Sequence, residues 1–131
     1  MRKDIEIPKV SDVYIAAVRE WDKDFLAQSW NIHLINNSSI TMEVVIVVSR
    51  GYDDERKTAT LRHALGNIAP KTSVKVEFIA EEVLGFTNEF LLTYFIGEAL
   101  YDKKFIFLPH TISDKHEVQI PLMDTEGVLA C

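Results

Sequence analysis

The feature that most constrains the fold of this chain is a period-two alternation of apolar and polar residues along short runs. In the clearest run, Val74, Val76 and Phe78 alternate with polar residues, among them Glu77. Because successive side chains of a β-strand point to opposite faces, this pattern predicts a strand with one buried and one solvated face. We therefore expect Phe78 to face the core and Glu77 to face solvent.

Two further runs indicate where the core lies. Trp30, Ile32 and Leu34 share one face of a predicted strand, so we expect the Trp30 ring to lie between two sheets. The run Met42–Val48 is mostly apolar and rich in β-branched residues, which is typical of a strand buried on both faces. It is predicted to be a central strand.

A hairpin is predicted in the aromatic part of the chain. Gly97-Glu98 separates the runs Phe90–Ile96 and Ala99–Leu108, and a glycine between two apolar runs favours a tight turn. The polar residues Asp102–Lys104 interrupt the second run and predict a bulge or a second turn there.

Helix-forming composition is limited to Ala80–Leu84, and Gly85 ends that segment after about one turn. Short predicted strands joined by short turns therefore account for nearly all of the 131 residues. We predict one domain over residues 1–131, an all-β, immunoglobulin-like antiparallel β-sandwich of about seven to nine strands.

Charge and cysteine content narrow the possible partners and the compartment. The net charge is −6, and no cluster of cations is present that would bind the phosphates of nucleic acids or of a membrane surface. No apolar run approaches the ~20 residues that cross a bilayer. The one cysteine, Cys131, excludes an intramolecular disulfide, which is typical of a reducing compartment. We expect a cytoplasmic protein that binds neither nucleic acid nor membranes.

Histidines are the main candidates for a polar site. His33 is expected to point away from the Trp30 face, either to solvent or beside a neighbouring strand, and His63 is expected to be a hydrogen-bonded core histidine. A weaker candidate is a loop site, whose members are His110, Asp114, His116 and Glu117. The spacing of these residues matches no established metal site. Because the chain also lacks a nucleophile motif and a glycine-rich phosphate loop, we expect no catalytic residues, metal or cofactor.

Aromatic residues concentrate in the predicted hairpin, and both of its faces carry apolar side chains. One face is needed to fill the core, so the other is available for a protein partner or a second copy of the chain. The residues predicted to form this interaction surface are Phe95, Tyr101, Phe105 and Phe107.

Several segments resemble a family of short, uncharacterised bacterial proteins that often carry the label phenylalanyl-tRNA synthetase subunit alpha. The resemblance covers most of the chain and implies a module associated with a tRNA synthetase. The segments that carry it are Trp30–Asn36, Val48–Tyr52, Thr60–His63, Val74–Glu77 and Tyr101–Pro109.

Three functions are consistent with the sequence. The leading hypothesis is a non-enzymatic protein-interaction or scaffold domain that acts through sheet edges or through the aromatic hairpin, as a homo-oligomer or with another protein. The second is a small ligand-binding or enzymatic domain with a loop site. The third is the synthetase-associated module that the resemblance implies.

Overall fold

The computed structural model describes residues 10–131, which form two antiparallel β-sheets packed face to face. Within this range the only helices are the short 3-10 turns Glu81–Val83 and Asp114–His116. The prediction of an all-β sandwich is confirmed, and the strand count falls within the predicted range. The strands are β1 (Val13–Trp21), β2 (Gln28–Asn36), β3 (Met42–Tyr52), β4 (Leu61–Ile68), β5 (Thr72–Ile79), β6 (Thr87–Ile96), β7 (Ala99–Phe107), β8 (Val118–Gln119) and β9 (Glu126–Leu129).

The nine strands divide into a five-stranded and a four-stranded sheet. The strand order is β5-β2-β1-β9-β8 in the first sheet and β4-β3-β6-β7 in the second. The main core lies between the two sheets, and it contains Trp30, Ile32 and Leu34 as the alternation predicted. The immunoglobulin-like type of this sandwich stays a prediction.

Strand β3 is an inner strand of its sheet, as predicted, because it pairs with both β4 and β6. Its expected burial on both faces is wrong. Val45 and Val47 are fully buried, whereas Val44 is 59% exposed. The pairing of β3 shifts in register around Val44, whose φ is +51°, so this β-branched residue protrudes at a bulge.

The β6–β7 hairpin also forms as predicted. Its turn is Gly97-Glu98, and a φ of +60° at Gly97 suits a glycine at the first position of a tight hairpin turn. The predicted bulge or second turn at Asp102–Lys104 is wrong, because the register is continuous from Ile96–Ala99 to Asn88–Phe107. Polar residues are compatible with β7 because it is an edge strand, where charged side chains reach solvent.

The orientation predicted for the end of β5 is reversed in the structure. The pairing of β5 with β2 shifts by one residue between Ile32 and His33, so that Glu77 lies opposite Ile32 on the inner side. Phe78 lies opposite Asn31 instead and is 59% exposed. An extra residue in one strand moves every later side chain to the other face, and alternation alone does not reveal it.

A second, smaller core lies on the outer side of the five-stranded sheet. Ala16, Val18 and Ile35 are buried there beneath Ile120, with Met123 packed against them. The protein thus covers one of its outer sheet faces with its own C-terminal segment.

Candidate functional site

The predicted interaction surface on the hairpin needs correction. Phe105 and Phe107 are only 2% exposed and belong to the main core, because alternation along β7 points both rings inward. Tyr101 is half-buried, and its ring stacks on that of Tyr94 with centroids 5.1 Å apart. Of the four predicted residues only Phe95 is exposed, at 37%.

Phe95 belongs to a larger apolar surface, the outward side of the four-stranded sheet, which we call the outer face. Val44, Leu91 and Leu100 are exposed on it. Other apolar residues between them are half-buried, namely Ile46, Val48 and Ile106. Among residues 10–131, no segment covers this face in the way that Ile120 covers the other sheet. An uncovered apolar surface of this kind is typical of a protein-binding site.

Charged residues lie at the two ends of the outer face. Glu43 and Asp102 lie toward the β6–β7 turn, whereas Arg50, Arg62 and Lys104 lie toward the other end. The face therefore has an apolar middle that includes Ile46, Val48 and Leu91, with its acidic residues on the side of the β6–β7 turn and its basic residues on the other side.

One carboxylate at the basic end is enclosed by cations. Glu89 is 6% exposed, and its carboxylate accepts a hydrogen bond from Arg50 and lies 3.4 Å from Lys104 Nζ. Burial works to raise the pKa of Glu89, but the hydrogen bonds and charges of Arg50 and Lys104 outweigh it and hold the pKa below its ordinary value. Three cations against one carboxylate leave this end positive.

A second candidate site is a cavity of about 230 Å³ between the sheets, where the edge strands β4 and β5 adjoin. We call it the seam cavity. Apolar side chains from β5, the following 3-10 turn and β6 form much of its wall, including Ile79, Val83 and Phe90. Polar groups enter from β3 and β5, through Ser49 and Glu77.

A buried hydrogen-bonded cluster links the two sheets at the seam cavity. Ser49 Oγ donates to Glu77 Oε1 at 2.5 Å, and His63 Nε2 lies 2.7 Å from the same oxygen. Ser49 is 4% exposed, and the side chain of Glu77 is 15% exposed. His63 is thus hydrogen-bonded as predicted, although it is half-buried rather than in the core and does not line the cavity. The serine bonds to the carboxylate and not to the histidine, so the cluster lacks the order of a Ser–His–acid triad.

The other predicted polar residues do not form one site. His110 is exposed and lies against Gly85, while Asp114 makes an ion pair with Arg19 of β1 at 3.5 Å. His116 is exposed on the 3-10 turn, and Glu117 lines a shallow groove. Within residues 10–131, no group of three His, Cys, Asp or Glu side chains is arranged to hold a metal ion.

His33 points away from Trp30 as expected and lies beside the neighbouring strand β1, where it is 7% exposed. Its Nε2 lies 2.9 Å from Glu20 Oε1, which also accepts a hydrogen bond from Asn31. Asn31 and His33 on β2 thus both bond Glu20 on β1, so the cluster ties these two paired strands together.

Comparisons with known proteins add no functional assignment. No protein-family model, curated protein or solved structure matches this chain. The resemblance of its segments to synthetase-labelled bacterial proteins stays a prediction. In the part of the chain that the structure describes, no helix has the length and apolarity needed to span a membrane.

Sequence reasoning found part of the outer face and missed the seam cavity. The apolar character of Met42–Val48 on both faces is the available signal for the outer face, but the same pattern is typical of a strand buried on both faces. No local signal joins Ser49, His63 and Glu77, because they meet only through the pairing of β3 with β4 and the register shift in β5.

Proposed function

We propose that this protein is a non-enzymatic interaction domain whose outer face binds the outer face of a second copy of the chain. The observation that carries the proposal is the uncovered apolar middle of the outer face, with Leu91 near its centre and Phe95 exposed beside the acidic end. Burying such a surface against another protein removes apolar area from water and stabilises the complex.

A second copy is favoured as the occupant because the charges on the outer face are self-complementary. Consider a two-fold axis that lies in the face, perpendicular to the strands, and passes between Ile46 and Val48. It reverses the strand direction of the second copy and places each strand over its own equivalent. Glu43 of one copy then lies over Arg50 of the other, and Asp102 lies over Lys104.

The size of the outer face sets the expected strength of the dimer. Four strands about 4.8 Å apart, each contributing roughly eight residues of about 3.3 Å, give a face of roughly 500 Å² per copy. A dimer would bury about 1,000 Å² in total, near the lower limit for specific protein interfaces. We therefore expect a weak dimer that forms as concentration rises, rather than a permanent one.

Charge reversal tests this arrangement. In an Asp102→Lys homodimer the introduced lysine lies over Lys104 of the other copy, so two positive charges meet. In a Lys104→Asp homodimer the introduced aspartate lies over Asp102 of the other copy, so two negative charges meet. Each variant alone should therefore be monomeric at concentrations where the unchanged protein dimerises. When the two variants are mixed, the lysines at positions 102 and 104 of one chain lie over the aspartates at positions 104 and 102 of the other, so heterodimers should form. Sedimentation velocity over a concentration series measures each case.

Two further variants complete the experiment. Leu91→Glu places a charge in the apolar middle and should abolish the dimer, whereas Leu26→Glu, in the exposed β1–β2 loop, should leave it unchanged. Circular dichroism checks that each variant is folded. The proposal is wrong if the unchanged protein stays monomeric at about 1 mM, a concentration at which even weak complexes form. It is equally wrong if Leu26→Glu rather than Leu91→Glu abolishes association.

A further inference from the structure

We propose that the seam cavity binds a small organic amine, with its ammonium group on the carboxylate of Glu77 and its apolar body against Ile79, Val83 and Phe90. This inference is independent of the proposed self-association, because the cavity opens between β4 and β5 and not on the outer face.

The charge of the ligand follows from the surroundings of Glu77. Both of its hydrogen bonds, from Ser49 and His63, fall on Oε1, and within residues 10–131 no side chain or backbone group donates to Oε2. His63 is the only basic side chain among those residues within ion-pair distance of Glu77. Arg50 also borders the cavity, but its guanidinium bonds Glu89 on the outer face. Because Glu77 lines a largely apolar cavity and one of its carboxylate oxygens has no protein donor, the site favours a cationic N–H donor.

The two fixed bonds also orient the carboxylate. Ser49 is almost fully buried on β3, and His63 lies on the neighbouring strand β4, so both donors are held by the four-stranded sheet. They hold Glu77, which belongs to the five-stranded sheet, in one position. A carboxylate held in this way binds a ligand with little loss of side-chain entropy.

The cavity volume limits the size of the amine. At roughly 30 Å³ for each water-sized group, 230 Å³ holds about eight non-hydrogen atoms. This is below the usual range for drug-sized ligands, so the ligand class is a monoamine with a short aliphatic or single-ring body. Benzylamine is a probe of suitable size, while benzyl alcohol and benzoate have the same shape with neutral and negative groups.

The experiment is a titration of the full chain with each of the three probes, followed by amide chemical shifts in two-dimensional NMR. Benzylamine should give saturable shifts at residues of the cavity wall. The affinity for benzyl alcohol should be lower by at least about tenfold, and benzoate should not bind. Glu77→Gln should lower the affinity for benzylamine by about tenfold. The matched control Glu126→Gln, on β9, should leave it unchanged.

A second variant keeps the test decisive if Glu77→Gln does not fold. Ala59 is exposed and borders the cavity, so Ala59→Phe should block it while the core stays intact. Loss of benzylamine binding in Ala59→Phe supports the proposal. Equal affinity for benzylamine and benzyl alcohol, unchanged binding in Ala59→Phe, or shifts confined to the outer face would overturn it.

Discussion

Tyr94 should make the protein lose stability in alkaline solution. Its side chain is 2% exposed in the main core and its ring stacks on Tyr101. Burial, together with the neighbouring phenol of Tyr101, raises the pKa of Tyr94 from 10.0 to about 12. The phenol is neutral when protonated, so the folded state resists an ionisation that the unfolded chain undergoes freely.

The sign and size of the effect follow from linkage. Below pH 10 the phenol is protonated in both states and contributes no pH dependence. Between pH 10 and about 12 the unfolded chain releases this proton while the folded protein retains it, so the free energy of unfolding falls as pH rises. At about 1.4 kcal/mol per pH unit, the loss reaches roughly 2 kcal/mol near pH 11.5.

Urea denaturation at about pH 8 and about pH 11.5 measures this loss, with Tyr94→Phe as the test variant. Effects of alkaline pH on the rest of the chain are common to both proteins and cancel in the comparison. Tyr94→Phe should lose about 2 kcal/mol less than the unchanged protein. Tyr52→Phe, which retains Tyr94, should lose as much as the unchanged protein. An equal loss in Tyr94→Phe and the unchanged protein would refute the reasoning.

Two other perturbations have definite expected outcomes. Val44→Gly should raise the free energy of unfolding by about 0.5–1 kcal/mol, because a positive φ costs a β-branched residue about 1–2 kcal/mol and glycine in a strand costs less. Val48→Gly on the same strand should instead be destabilising in urea denaturation, and an equal loss in both variants would contradict this. Glu89→Gln should lower stability at neutral pH by about 2 kcal/mol, because Arg50 and Lys104 lose their buried partner. Since the pKa of Glu89 is lowered by folding, its contribution is present above its ordinary pKa of 4.5 and is lost at lower pH. Acid titration followed by circular dichroism should therefore show a shallower loss of stability below about pH 4.5 in Glu89→Gln, and parallel curves would contradict the assignment.

Much of the fold was predictable because its signals are local. Alternation placed Trp30, Ile32 and Leu34 in the core, and the Gly97-Glu98 turn predicted the β6–β7 hairpin. The first feature depends on the direction of successive side chains along one strand, and the second depends on the backbone preference of one glycine in a turn. Both can be seen within a few residues of sequence.

The candidate sites were less predictable because they depend on contacts between distant segments. Phe105 and Phe107 lie on the face of the hairpin that the opposite sheet covers, whereas Phe95 lies on the other face. Composition does not specify which of the two faces is covered. The apolar outward residues of β3 suggested burial, but the segment that supplies a covering layer, around Ile120, packs on the other sheet.

The period-two alternation, together with the scarcity of helix-forming segments and the short turns, determined that this chain forms a sandwich of antiparallel strands. A strand with one apolar face must bury that face, and here only another sheet is available to cover it. Only the tertiary structure decided which outer face stays uncovered and which polar residue enters the seam cavity. A register shift of one residue in β5 turns Glu77 inward toward Ser49 and His63 and turns Phe78 out to solvent. The physical reason is that side chains alternate strictly along a strand, so one extra residue reverses every later position, and its placement is set by pairing with a strand far away in sequence.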